Sequence, residues 1–258
     1  MLELENIVFC YGQNKILGGA SMYAARGELT AILGANGAGK STLLKIASGY
    51  LKPQSGKVLI GGKNAFAMSA RELARKRAVL EQETSLDFNY TVLDTVCLGR
   101  FAMSGFFGVN ARARKIAEEA IGKVGLGGLE AKQYLELSGG EQRRVQLARA
   151  IAQILERPDG KILMLDEPTA NLDPKHSHET MRLCRDLCKM GAACVAVVHS
   201  VNLAIKYADK AALLKGGKIS AFGKTADALT DKNIADLYGM QCRIIDDRGE
   251  NVAVLSTR

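Results

Sequence analysis

The stretch Gly34-Ala35-Asn36-Gly37-Ala38-Gly39-Lys40-Ser41 constrains this chain more than any other segment. It has the form G-x-x-x-x-G-K-[ST]. It stands between an apolar run, Leu29–Leu33, and a helical pattern from Ser41 to about Ser48 that Gly49 can stop. Strand, glycine-rich turn and helix in that order make a cradle. The glycines let successive backbone N–H groups curl around phosphates, and the helix points its positive end at them. In such a loop Lys40 reaches the β- and γ-phosphates, and Ser41 offers its hydroxyl to Mg²⁺. At average residue frequencies the pattern arises by chance in about one chain of this length in a hundred. The strand before it and the helix after it argue against that chance reading. Gly34, Asn36, Gly37, Gly39, Lys40, Ser41 and Thr42 are therefore the candidate nucleotide-binding residues.

A second segment supplies what the loop lacks. Ile162-Leu-Met-Leu-Asp166-Glu167 is an apolar run closed by two acids. It fits a central parallel strand. A carboxylate at the end of such a strand, Asp166, can hold Mg²⁺, and its neighbour Glu167 can polarise an attacking water. Alone, the run could be a strand end meeting solvent; beside a phosphate loop it completes a site.

The rest of the chain alternates short apolar stretches with helical patterns, which predicts an α/β fold with a largely parallel sheet. Strands are expected at Val58–Ile60, Ala78–Leu80 and Cys194–Val198, and helices at Thr91–Leu98, Ala111–Val124 and Glu141–Leu155. Val145, Ala148, Ile151, Ala152 and Leu155 put one apolar face on the last of these. Asp173-Pro174 is a helix start with a capping acid, and Gly191 can close that helix. Two hairpins are expected, one around Gly216-Gly217 and one across Gly249.

Composition narrows the classes. The chain has 258 residues, 47% hydrophobic and 24% charged, which excludes disordered and fibrous proteins. Its longest unbroken apolar run, Ala192–Val198, is far short of the ~20 residues that cross a bilayer. The opening residues lack the basic start of a secretory signal, so a cytoplasmic protein is expected. The six cysteines form no CxxC pair and are expected to be reduced thiols used as small hydrophobes. A formal charge of +8 suits phosphate-bearing ligands, nucleic acid or an anionic membrane without choosing among them. The dense basic run Arg71–Arg77 is expected on a solvated helix face. His176 and His178, two apart on a helix, are expected on its surface and not as a metal pair.

Leu137-Ser138-Gly139-Gly140-Glu141-Gln142 precedes the expected Glu141–Leu155 helix, and a Ser-Gly-Gly turn there is another anion site. With this third motif the chain resembles the ATP-binding subunits of ABC transporters over nearly its whole length. LSGGEQ resembles their signature, which in one subunit closes over the γ-phosphate held by the other. The resemblance implies a P-loop NTPase core of RecA-like type, an antiparallel β subdomain and an inserted helical subdomain. Residues about 1–83 and 156–258 would form the core, and about 84–155 the helical insertion. It also implies ATP and Mg²⁺ as ligands. Tyr11 resembles the aromatic that stacks on adenine, and Gln82 the glutamine that touches Mg²⁺ beside Ser41 and Asp166. His199 resembles the switch histidine at the γ-phosphate, acting with Glu167, Lys40 and Gln82 in catalysis. Ser138, Gly139 and Gly140 would complete the nucleotide site of a second copy, and Asn171-Leu172-Asp173 would cross that dimer interface.

Three positions depart from the family pattern. Glu81 stands where relatives often have proline, Asn171 where they have a small residue, and Ser200 where many have aspartate. None removes a group assigned to the chemistry. The segments Arg77–Arg100 and His199–Gly223 resemble the iron-chelate, cobalamin and haem importers, and within that branch Arg77–Val92 and Ile151–Asp173 most resemble the haem (hemin) importers. The implied protein is an ATP hydrolase on the cytoplasmic face of the inner membrane. It would form a homodimer that drives two permease subunits, served indirectly by a substrate-binding protein. Ferric-siderophore or cobalamin import is the alternative within the branch. A non-transport ABC ATPase acting on nucleic acid or ribosomes, and a regulatory nucleotide-binding module, are the alternatives outside it. The first usually carries two cassettes or a long coiled-coil insertion, so no nucleic-acid partner is expected here. The second is disfavoured by an intact Glu167.

Overall fold

Three five-residue runs with every side chain buried, Leu29–Leu33, Ile162–Asp166 and Ala193–Val197, form the centre of the molecule. The structure is a computed structural model that describes residues 1–82, 90–103 and 110–256. Its strands are β1 (Leu2–Tyr11), β2 (Asn14–Ala24), β3 (Leu29–Leu33), β4 (Ser55–Ile60), β5 (Lys63–Asn64) and β6 (Arg77–Leu80), then β7 (Ile162–Asp166), β8 (Ala193–Val197), β9 (Lys210–Lys215), β10 (Lys218–Lys224), β11 (Gln241–Asp247) and β12 (Glu250–Ser256). Its helices are α1 (Lys40–Ala47), α2 (Ala70–Lys76), α3 (Val92–Cys97), α4 (Ala111–Lys123) and α5 (Gly139–Ile154), then α6 (Pro174–Lys189), α7 (Val201–Tyr207), α8 (Thr225–Ala228) and α9 (Asp231–Tyr238).

The main sheet has the order β10-β9-β3-β8-β7-β6. All neighbours in it pair parallel except β10, which runs antiparallel to β9. Strands covered on both faces carry unbroken apolar runs, which is why β3, β7 and β8 are visible in the sequence. The registers align their carboxyl ends, with Asp166 opposite Val197 and Val198 bonded back to Ile32. So β3, β8, β7 and β6 deliver Gly34, His199, Asp166 and Gln82 to one edge. Open α/β sheets bind ligands at that edge.

A second, antiparallel sheet has the order β2-β1-β4-β5. The residues of β1 and β2 do not announce strands. The register of β1 slips between Leu4 and Ile7 and again before Cys10, and Asn6 sits at φ 48° inside it. Each slip shifts the alternation to the other face, so the period of two is lost in the sequence. The helices α7, α8 and α9 are likewise additions to the expected elements.

Other expectations match. α3, α4 and α5 pack on one another, and the apolar face of α5 is buried from Val145 to Leu155. Asp173 caps α6 by accepting from His176 N at 2.8 Å, with Pro174 at its first turn and Gly191 at φ 94° just past its end. Both hairpins form, β9–β10 and β11–β12. The six cysteines are free, and Cys184, Cys188 and Cys194 are buried. No described helix is long and apolar enough to cross a membrane.

One surface expectation needs correction. Helix α2 covers most of the basic run, but Arg77 begins β6 and turns inward, donating from Nε to the Ser48 carbonyl. Burial lowers its guanidinium pKa. His176 and His178 lie partly exposed on α6, as expected. Their Nδ1 atoms lie 2.8 Å from Asp173 Oδ2 and 2.9 Å from the Tyr207 hydroxyl. Among the described residues no cluster of His, Cys, Asp and Glu could hold a metal ion by itself.

Candidate functional site

The phosphate loop takes its shape from close packing. A Cβ at Gly34 would press on the Leu214 carbonyl, and Gly39 sits at φ 99°, against Ile16. Gly39 is also the N-cap of α1 and supplies no side-chain cap. The first N–H groups of that helix are thus left for a ligand, in the field of its positive end.

Lys40 is 6% exposed and folds back on its own loop. Its Nζ donates to the carbonyls of Gly34 at 2.9 Å and Ala35 at 3.0 Å. Burial lowers its pKa, against the opposing pull of Glu167 and Asp166.

The Ser41 hydroxyl lies beside the Asp166 carboxylate and favours its charged form. Asp166 is 3% exposed, and its Oδ1 is buried with no hydrogen-bond partner in the protein. Burial pushes its pKa up. A buried carboxylate with an orphaned oxygen beside a hydroxyl is a donor set that fits a hard divalent cation with its waters. The residues present therefore suit Mg²⁺.

Glu167 follows at φ 50°. A left-handed backbone at such a residue costs on the order of 1–3 kcal/mol and persists only where its surroundings hold it. Here Glu167 N donates to Val197 O at 3.2 Å, and its carbonyl accepts from Ala170 N at 3.1 Å. The turn aims its carboxylate at His199, with Oε1 2.7 Å from Nε2.

Apart from the buried Asp166, these groups line one open cleft of about 520 Å³. It brings Asn36, Gly37, Gly39, Lys40, Ser41 and Thr42 together with Gln82, Glu167 and His199. Gly34 lies at its floor through the Lys40 bond. Ile16, from β2, also lines it; no motif in the sequence marks that residue.

Four expected residues lie elsewhere. Tyr11 is half exposed at the β1–β2 turn, edge-on to Phe9 at 4.8 Å, and is not part of the lining. Ser138, Gly139 and Gly140 form the start of α5, outside the cleft of their own chain. Ser138 caps α5 and is held in a capping box with Glu141. A side chain at Gly140 would press on the carbonyl of Asn171, so the signature packs against the Asn171–Leu172 turn.

Two of the three departures have local reasons. Asn171 sits at φ 60°, a conformation asparagine tolerates better than other side chains. Ser200 caps α7, its hydroxyl accepting from Leu203 N at 3.2 Å. Glu81 contributes through its backbone carbonyl, which accepts from Arg143 at 2.6 Å. Arg143 itself is a residue the sequence reading missed. It follows LSGGEQ side by side with Arg144, and only the fold shows that Arg143 faces the sheet edge while Arg144 reaches the carbonyls of Val124 and Gly125.

The ABC transporter family model matches residues 17–170. The hemin import ATP-binding protein HmuV of Rhizobium meliloti is 41% identical over 95% of this chain and 93% of its own. The protein of the same name from Gloeobacter violaceus is 44% identical over 95% of this chain and 90% of its own. Among solved structures, a metal-chelate type ABC transporter in an inward-facing conformation superposes with a TM-score of 0.81 at 27% identity, covering 99% of this chain and 96% of that one. A dimeric bacterial ABC transporter cassette superposes with a TM-score of 0.77 at 30% identity, covering 87% of this chain and 99% of that one. The chain belongs to the ABC transporter family, as one of its ATP-hydrolysing subunits.

Proposed function

We propose that this chain hydrolyses ATP to drive import of haem (hemin) across the inner membrane, working from its cytoplasmic face. The observation that carries the substrate is the near-full-length similarity, at about 40% identity, to proteins named as hemin import ATP-binding subunits. The transported molecule does not touch this subunit, so no side chain here is expected to read it. Two copies would meet head to tail, each closing its signature over the nucleotide of the other, and together they would engage two permease subunits fed by a substrate-binding protein.

Within one site, Lys40 exchanges its loop carbonyls for the β- and γ-phosphates, and the free N–H groups at the start of α1 take the phosphate oxygens. Ser41, Asp166 and Gln82 would hold Mg²⁺, which when bound neutralises charge on the phosphates. Glu167 orients and polarises the attacking water, and His199 fixes the Glu167 carboxylate and faces the γ-phosphate. Ser138 and Gly140 of the second copy complete the cradle. Phosphoryl transfer needs chiefly this positioning and charge stabilisation.

The test is ATPase activity of the subunit reconstituted with its own permease and challenged with loaded binding proteins. Stimulation by the haem-loaded form is expected. Stimulation only by a ferric-siderophore or cobalamin form would replace the substrate and keep the importer. No stimulation by any of them would reject import.

A further inference from the structure

The guanidinium of Arg143 lies behind the cleft and is bonded to two separate segments that feed it. Its Nη1 donates to the carbonyls of Glu81 at 2.6 Å and Gln82 at 3.0 Å. Its Nη2 donates to the carbonyl of Glu167 at 2.9 Å and to that of Asp166. No carboxylate pairs with it in these bonds. All four acceptors are main-chain oxygens of residues at the carboxyl ends of β6 and β7, neighbouring strands of the sheet.

We infer that Arg143 is a positioning residue for hydrolysis, a clamp that sets the separation of Gln82 from Asp166 and Glu167 and holds Glu167 in its left-handed turn. The inference rests on the site assignment proposed above. Three observations lead to it. The planar fork of arginine presents donors in a fixed geometry, so two pairs of carbonyls on different segments are held at one spacing. Glu167 keeps a strained backbone, and Arg143 is one of the few groups bonded to that residue's main chain. Arg143 also stands three to five residues, about one helical turn, beyond Ser138–Gly140 along α5. The helix that offers its start to a second copy thereby grips the hydrolytic edge of its own chain. The clamp does not touch the phosphate loop and reaches the cleft only through Gln82 and Glu167 on its hydrolytic side, so its effect belongs to turnover and not to ATP capture.

The experiment is steady-state ATPase of the full-length chain with Mg²⁺, comparing wild type with R143A, R143K and E167Q. R143A is expected to lose about tenfold or more in kcat, the scale of a small misplacement of reacting groups, while KM for ATP stays within about twofold. Guanidinium at low millimolar concentration is expected to restore part of the R143A rate and to leave wild type unchanged. R143K is expected to stay slow, because one ammonium cannot bridge both pairs of carbonyls. An unchanged kcat in R143A, or a joint loss of kcat and ATP affinity without guanidinium rescue, would overturn the inference. R143Q takes the place of R143A should the smaller side chain prevent folding, judged by the same kcat and KM criteria. An E167Q protein that turns over like wild type removes the site assignment and the clamp together. An inactive E167Q beside a fully active R143A removes the clamp alone.

Discussion

Lys40 makes two hydrogen bonds to carbonyls of its own loop, and ATP has to replace them with phosphate oxygens. Charge-assisted bonds of this kind are worth roughly 1.5–3 kcal/mol. Lys40→Ala should therefore weaken ATP binding about tenfold to a hundredfold, measured by titration calorimetry; unchanged affinity would contradict the phosphate role. The pH dependence has a definite sign. Burial holds the Lys40 ammonium below the ordinary lysine pKa. Affinity carried by the charged form is intact below that depressed pKa and is lost as pH rises through it. The alkaline limb of ATP binding should thus begin at lower pH than an ordinary lysine gives, and Lys40→Ala should flatten it. Glu167→Gln should abolish turnover while keeping ATP bound, because it removes a base and leaves the phosphate loop intact. At this scale the motif residues were legible because each group is contiguous and meets a chemical need at short range. Arg143 and Ile16 were not, since their roles come from which way a helix and a strand face after folding.

At the scale of elements, α5 begins with a device that serves two ends. Ser138 and Glu141 satisfy each other's backbone N–H groups, and hydrogen bonds from Ser138 hold the Glu141 carboxyl below the usual range. The cap is complete above the ordinary glutamate pKa and is lost as pH falls through the depressed one. Ser138→Ala should cost about 1 kcal/mol of stability near neutral pH, read by thermal denaturation, with a smaller loss in acid where the cap is already broken. A second element contact is tighter. Gly99 presses on α5 so closely that a Cβ would collide with the Arg149 carbonyl. Gly99→Ala should destabilise by about 1–3 kcal/mol through forced separation of α3 from α5; an unchanged melting temperature would show that the pair can part freely. The elements that sequence predicted best were those with one unbroken cause: apolar runs buried on both faces, or capped amphipathic helices. Strands β1 and β2 stayed hidden because bulges scramble their alternation and a partner strand, not local sequence, sets their register.

At the scale of the whole molecule, one copy holds half of what each proposed nucleotide sandwich needs. The cleft gathers the phosphate loop, Glu167 and His199, while Ser138–Gly140 lie at the start of α5, outside it. In the proposed sandwich a second copy supplies them, so blocking hydrolysis should trap a dimer. Glu167→Gln in ATP should double the 27.7 kDa mass seen by light scattering, and should stay monomeric without nucleotide. The decisive companion is Ser138→Asp in the same background. Aspartate still caps the helix through Glu141 N and suits the helix dipole, although it loses the Ser138 hydroxyl's bond to the Glu141 carboxylate, so α5 should remain folded at a small cost that thermal denaturation reads. The same charge would face the γ-phosphate of the other copy and repel it across a desolvated gap. The expected outcome is a protein that still binds ATP in its own cleft but no longer dimerises. A double variant that dimerises as readily as Glu167→Gln alone would place the second copy's contact somewhere other than the signature, and would separate the two halves that the motifs bring together.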